Sequence, residues 1–310
     1  MRLFALLLAL AFPCIPQTAT FSSDVNVVSL LATVRDRSGA IVTDLTKDDF
    51  RLEEDGHPQT IRYFSRESGL PLILCLLVDT SRSMQTVFDP ERLASNRFFE
   101  QVLRPDRDLA AVVHFDVRVE TLQGFTASRE KLAAALDRLA IPPRPATLLY
   151  DGVKQSSEDL MRPQAGRKAF ILLSDGMDVR SETSIGTAIE YAQRADTIIY
   201  SILFPHRAGA GRRGGRGGIN ITIGRSNPAQ LRGPKTMQRL ARETGGGFFT
   251  VKAATSIDSI YAQIEDELRN QYSIGYTPVR VDRDGKYRKL KLTTVKKGLT
   301  VRTRDGYYPK

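Results

Sequence analysis

The chain has 310 residues, of which 41% are hydrophobic and 26% charged, and carries a formal charge of +10. That length buries one sizeable core and a smaller second one, and the balance excludes a disordered or fibrous chain. The basic excess is local. Arg2 together with Arg207, Arg212, Arg213, Arg216, Arg225, Arg232 and Lys235 accounts for all but +2 of it, and residues 205–235 hold no acidic side chain. Such a Gly- and Arg-rich stretch reads as a solvated insertion with at most a weak contact to an anionic surface, and a nucleic-acid-binding fold is disfavoured.

The N-terminus starts with Arg2, continues as an apolar run over 3–12 and breaks at Pro13 before small and polar residues. This is the pattern of a secretory signal peptide over 1–20, with cleavage expected between Gln17 and Phe21. The run is too short to span a bilayer, so a secreted or periplasmic location is expected. Lipid attachment at Cys14 is disfavoured, because Pro13 stands where such signals carry a small residue. Without the leader, Cys75 is the sole cysteine, set in mid-strand as a small apolar residue, and no intrachain disulfide can form.

An N-terminal β segment is expected over 21–69. Strands are read at 25–36, 50–54 and 60–64, the last two around Asp55-Gly56, with a short helical turn at 46–49. From 72 onward strands and helices alternate, which specifies an α/β domain over 70–271. Its strands are read at 72–78, 109–115, 118–122, 169–174, 197–204 and 248–251, and its helices at 90–103, 128–139, 148–161, 184–195, 234–244 and 256–270. Only Asp116-Val117 separates the second and third strands, so they form a hairpin and one edge strand runs antiparallel. Strand signals return at 272–276, 289–294 and 300–303, with turns at Asp284-Gly285 and Lys297-Gly298. Neither end segment can bury a core alone. The expected architecture is therefore a doubly wound, mostly parallel six-stranded sheet with helices on both faces. It is inserted between 21–69 and 272–310, which pair into a small β-sandwich-like module.

The strand at 72–78 is apolar throughout, as a strand buried on both faces requires, and ends in Asp79-Thr80-Ser81-Arg82-Ser83. The C-terminal ends of such strands are where open α/β sheets bind ligands. Asp-x-Ser-x-Ser offers hard oxygen donors with little charge and lacks the glycines of a phosphate cradle, which suits Mg²⁺ or Mn²⁺, with Ca²⁺ admissible. Two further segments agree. Asp175 follows the apolar strand at 169–174 and precedes Gly176. Thr147 follows Pro145-Ala146 at the expected start of a helix, where a hydroxyl caps N–H groups or ligates a metal.

In this order, Asp79, Ser81, Ser83, Thr147 and Asp175 resemble the metal-ion-dependent adhesion site of the von Willebrand factor type A family. The likeness runs from about residue 71 to 270, and the end segments resemble those of acidobacterial-type secreted proteins carrying this domain. The resemblance implies a metal-dependent, adhesion-type module that binds a protein ligand through an Asp or Glu carboxylate. Asp178 and Asp151 lie near the same edge as outer carboxylates, and Arg82 and Met84 flank the loop on its rim. The alternative is a structural envelope protein with a vestigial metal site.

Enzyme readings fare worse. A haloacid-dehalogenase-like phosphotransferase needs a second Asp where Ser81 stands and so lacks its proton donor. No Gly-x-Ser-x-Gly elbow surrounds Ser81 or Ser83. The histidines, His57, His114 and His206, form no His-x-x-x-His pair.

Overall fold

The computed structural model describes residues 27–66, 70–205, 228–252, 256–279 and 284–309. Along the N-terminal segment lie β1 (Val28–Arg35), β2 (Phe50–Glu54), β3 (His57–Gln59) and β4 (Ile61–Ser65). The central segment contains β5 (Leu72–Asp79), α1 (Phe88–Val102), β6 (Leu109–Phe115), β7 (Val119–Thr126), α2 (Arg129–Asp137), α3 (Leu149–Ser156), β8 (Arg167–Ser174), α4 (Ile185–Arg194), β9 (Thr197–Leu203), α5 (Pro228–Thr244), β10 (Phe248–Thr250) and α6 (Ile257–Arg269). The C-terminal segment adds β11 (Tyr272–Tyr276), β12 (Arg288–Thr294), β13 (Thr300–Arg302) and β14 (Gly306–Tyr307).

All eight residues of β5 are buried, as its unbroken apolar run requires. Alternation then splits the strand between two cores. Leu72, Leu74, Leu76 and Val78 face α1, α2 and α6, while Ile73, Cys75 and Leu77 face α3, α4 and α5. Each buried Leu or Ile contributes about 1.5–3 kcal/mol, so β5 is the keel of the domain. The sheet order is β10-β9-β8-β5-β6-β7, parallel except for β7, which pairs antiparallel with β6 as the short Asp116-Val117 connection demands. Ser128, Ser184 and Ser256 cap α2, α4 and α6 by accepting from the N–H three residues on.

The end segments form two four-stranded antiparallel sheets, β13-β1-β11-β4 and β14-β12-β2-β3, closed over one shared core. Each sheet joins the two ends of the chain: Leu30 sits opposite Ile274, and Leu52 opposite Leu292. Glu267, at the end of α6 and 1% exposed, receives Arg35 of β1 at 2.6 Å and Arg302 of β13 at 2.8 Å. These ion pairs tie the β13-β1-β11-β4 sheet to the base of the α/β domain.

Several boundaries depart from expectation. The partner of β2 across Asp55-Gly56 is β3, while the following strand, β4, crosses to the other sheet. The strand expected at 118–122 extends to Thr126 across register irregularities. β8 starts at Arg167: Lys168 Nζ binds the carbonyls of Met161 and Gln164, Arg167 Nη1 binds that of Leu268, and both charged residues are buried. The helix expected over 148–161 is α-helical only to Ser156 and continues as a π turn over Ser157–Met161. α5 begins at Pro228 and carries Pro234 inside it, whereas Pro234 had read as a helix start. The expected leader and most of the Gly/Arg-rich stretch lie outside the described residues. Among the described residues no helix is long and apolar enough to cross a membrane.

Candidate metal centre

From β5 the chain passes through α1 to β6 on one side, and later returns to β8 on the other. The β5/β8 pair is therefore the switch point of the sheet, where diverging connections leave a crevice at the strands' C-terminal ends. Asp79 is the last residue of β5, and Asp175 follows the last residue of β8. Asp79 is fully buried, with Oδ2 accepting from Ser174 Oγ at 2.6 Å and Oδ1 from the Ser81 N–H at 2.9 Å. Burial, followed by the charge of Asp175, pushes the Asp79 carboxyl up to about 7 against those hydrogen bonds. Asp175 is 6% exposed and accepts from the Met177 N–H at 2.9 Å. Ser174, not singled out from the sequence, holds one oxygen of Asp79. Its signal is a hydroxyl at the last position of the neighbouring buried strand.

After Asp79 the chain enters a 3₁₀ turn, Arg82–Met84, which brings Ser81 Oγ and Ser83 Oγ within 2.9 Å of each other. Thr80, fully buried between them and the sheet, anchors the loop from behind. Its N–H reaches Phe115 O at 3.2 Å, while its Oγ1 donates to Asp116 Oδ2 at 2.6 Å and lies 3.0 Å from His114 Nδ1. Burial pushes the Asp116 carboxyl up, but the contacts with His114 and Thr80 outweigh it and leave it below the ordinary range. His114, buried on β6, is thus a partner of the loop.

Thr147 is 5% exposed and sits two residues before α3 rather than capping it, since Leu148 occupies the cap position. It forms an antiparallel bridge with Val179, at 3.1 and 2.8 Å, while the Leu148 N–H reaches Asp116 O at 3.1 Å. Thr147 is therefore strapped between the segment following Asp175 and the residue that anchors Thr80. These contacts bring all three sequence segments to one edge of the sheet.

The rim residues divide. Asp151 accepts from the N–H groups of Glu182 and Thr183 at 3.0 and 2.9 Å. Asp178 accepts from the Tyr150 N–H at 3.2 Å and Ser181 Oγ at 2.6 Å, and burial keeps its carboxyl raised. Both fasten the start of α3 to the loop after β8. Arg82 is exposed. Met84 is not on the rim: it is 1% exposed and packs in the core beneath α1, because the 3₁₀ turn rotates it inward.

Besides Ser174, two further features escaped the sequence reading. Gly176, at φ +77°, and Gly233 meet backbone to backbone: a Cβ on Gly233 would run into the carbonyl oxygen of Asp175, and one on Gly176 into that of Gly233. The second is Glu91 of α1, 2% exposed, with no hydrogen-bond partner for either carboxylate oxygen. Burial and then the charge of Asp79 hold its carboxyl well above the ordinary range. Among the described residues no three His, Cys, Asp or Glu side chains gather as a metal-holding group. The five positions read from the sequence bring three hydroxyls and two carboxylates to this edge.

Residues 74–263 match the von Willebrand factor type A domain. The chain belongs to that family. No curated protein matches it in sequence. Among solved structures, proximal thread matrix protein 1 of the mussel byssus, with a zinc-occupied MIDAS motif, superposes with a TM-score of 0.50 at 15% identity, over 69% of this chain and 49% of its own. This chain thus spans about half the length of that relative. BatB of Bacteroides thetaiotaomicron gives a TM-score of 0.46 at 16% identity, covering 64% and 97% of the two chains. The type V pili tip protein Mfa5 of Porphyromonas gingivalis, through its vWF domain, gives 0.47 at 13%, covering 64% and 94%. At these identities the likeness is one of fold.

Proposed function

We propose that this von Willebrand factor type A protein binds a divalent cation through Asp79, Ser81, Ser83, Thr147 and Asp175 and uses it to capture a carboxylate from a protein partner. The observation that carries this reading is the donor set at the switch point: a fully buried Asp79, a nearly buried Asp175, and two serine hydroxyls 2.9 Å apart. Burial, and then the charge of Asp175, raises the Asp79 carboxyl, the electrostatic signature of a place short of positive charge. A dication there supplies that charge and leaves an excess to attract an anionic side chain. Mg²⁺ or Mn²⁺ suits hydroxyl and carboxylate oxygens, and Ca²⁺ remains admissible. The mussel protein's zinc-occupied motif makes Zn²⁺ a further ion to test.

The chain's own residues do the positioning. Ser174 and the Ser81 N–H fix both oxygens of Asp79, the Thr80–Asp116 hydrogen bond sets the height of the Ser81–Ser83 turn, and the bridge to Val179 holds Thr147. Partner recognition then rests on one charge-assisted contact inside a wider protein interface. The proposal includes export after loss of residues 1–20, a metal-binding domain at 70–271, and a β module built from 21–69 and 272–310. No catalysis is assigned.

Isothermal titration with MnCl₂ and MgCl₂ tests the first step. Saturable binding that also raises the melting temperature, and is abolished in Asp79→Ala, is expected. No binding by the unaltered protein leaves the structural reading in its place. Capture of an envelope protein that EDTA releases, and that Asp79→Ala fails to retain, tests the second step.

A further inference from the structure

Glu91 has no explanation in the fold. It lies in the first turn of α1, on the stripe that continues through Ser95 and Phe98. Further along, that stripe is fully satisfied. Ser95 Oγ lies 2.8 Å from Tyr261 OH, and the Phe98 ring stacks on Tyr261 at 4.4 Å. Glu91 stands one turn nearer to the Asp79 loop and is as buried as its neighbours, yet neither of its oxygens meets a donor. The charge it feels is that of Asp79, of its own sign.

A buried carboxyl with no donor destabilises a protein. A helix stripe made of Ala94, Phe98, Phe99 and Val102 would be better served there by Leu or Met. First-turn acids usually earn their place through the helix N–H groups, but none reaches this one. What relieves a pair of like charges is positive charge, and what satisfies orphaned oxygens behind an ion is ordered water.

We propose that Glu91, in the first turn of the helix that follows the Asp79–Ser83 loop, is an outer carboxyl of the ion site that acts without touching the ion. It holds ordered water when a divalent cation is present and adds the negative charge that the hydroxyl donors lack. This inference rests on the proposed metal-binding function and assigns to α1 a part in it. Glu91 is a positioning residue for the cation, and its burial is tolerated in the metal-free protein for the sake of ion affinity. Residues that orient a metal's surroundings in this way typically contribute 10–100-fold to affinity.

The test is titration of the full chain with MnCl₂, alongside Glu91→Gln and Glu91→Met, with the metal-free melting temperature of each recorded. The expected result is a split. Mn²⁺ affinity falls about 10–100-fold in Glu91→Gln and at least as far in Glu91→Met, while the metal-free melting temperature stays level or rises. A purely structural glutamate gives the opposite pattern, a lower metal-free melting temperature with affinity intact. Affinity within twofold of the parent in Glu91→Gln overturns the inference while leaving the metal site standing. Failure of the parent protein to bind Mn²⁺ overturns both and is recognisable because no variant need be consulted.

Discussion

The two ends of the six-stranded sheet treat buried acids in opposite ways. At the N-terminal edge each is matched. Asp108, fully buried, meets Arg269 at 2.6 Å and also accepts from the N–H groups of Leu72 and Arg104 at 2.8 and 3.0 Å. Burial pushes its carboxyl up, but Arg269 and those N–H groups prevail and hold it below the ordinary range. Glu267 is gripped by Arg35 and Arg302. At the C-terminal edge Asp116 is offset by His114 and Thr80, but Asp79 and Glu91 are just as deep and both are pushed upward. The same strands that end in satisfied pairs at one edge end in a deficit of positive charge at the other. Stability does not call for such a deficit; a site for a cation does.

The contrast is open to attack at both edges. The largest effect is expected where pairing is complete. Asp108→Ala strands the Arg269 guanidinium and two backbone donors and should lower stability by about 3–5 kcal/mol in urea unfolding, with divalent-ion binding retained if the protein is refolded below its midpoint. Next comes the pH response of the charge-poor edge. In EDTA, the folded protein holds the Asp79 proton that the unfolded chain releases, so stability is full below pH 3.8 and is lost as pH climbs toward about 7. Asp79→Asn should flatten that fall by about 2–4 kcal/mol between pH 4 and 7.5, read from urea midpoints at each pH. A parallel profile in the two proteins would mean that Asp79 is already compensated.

Gly233→Ala should cost about 1–3 kcal/mol, because the added methyl meets the Asp175 carbonyl and backbone must move. It should also weaken Mn²⁺ binding, although residue 233 offers no ligand. The smallest effect belongs to the surface. Arg97 pairs with Asp258 through two hydrogen bonds, but the partners are 48% and 51% exposed, so Arg97→Ala should change stability by no more than about 1 kcal/mol.

What could be read in advance follows the same division. The keel strand was legible because seven apolar residues in a row leave no solvent face, and its terminal Asp79 therefore had to lie at the sheet edge. The joining of the two chain ends was legible because neither has strands enough for a core. The sheet change between β3 and β4 was not, since a three-residue hairpin strand leaves little pattern. Arg167 and Lys168 were read as loop, because nothing local says that carbonyls of Met161, Gln164 and Leu268 will receive their charges. Thr147 looked like a helix cap, and only the distant Val179 makes it a bridge residue. Met84 and Glu91 failed for one reason. Local pattern assigns a side chain to a face, but the tilt of the 3₁₀ turn and of α1 over β5 decides what that face meets.

Cys75 sits at the middle of β5, with 0% exposure and a thiol that burial pushes far up. An alkylating reagent reaches it only when the keel itself is laid bare, so its rate of modification counts excursions of the whole sheet rather than fraying at the margins. If ion capture clamps β5 to β8, as their shared edge implies, saturating Mn²⁺ should slow that reaction in proportion to its binding free energy. A single sulfur atom would then report, from the far side of the strand, on events at the crevice.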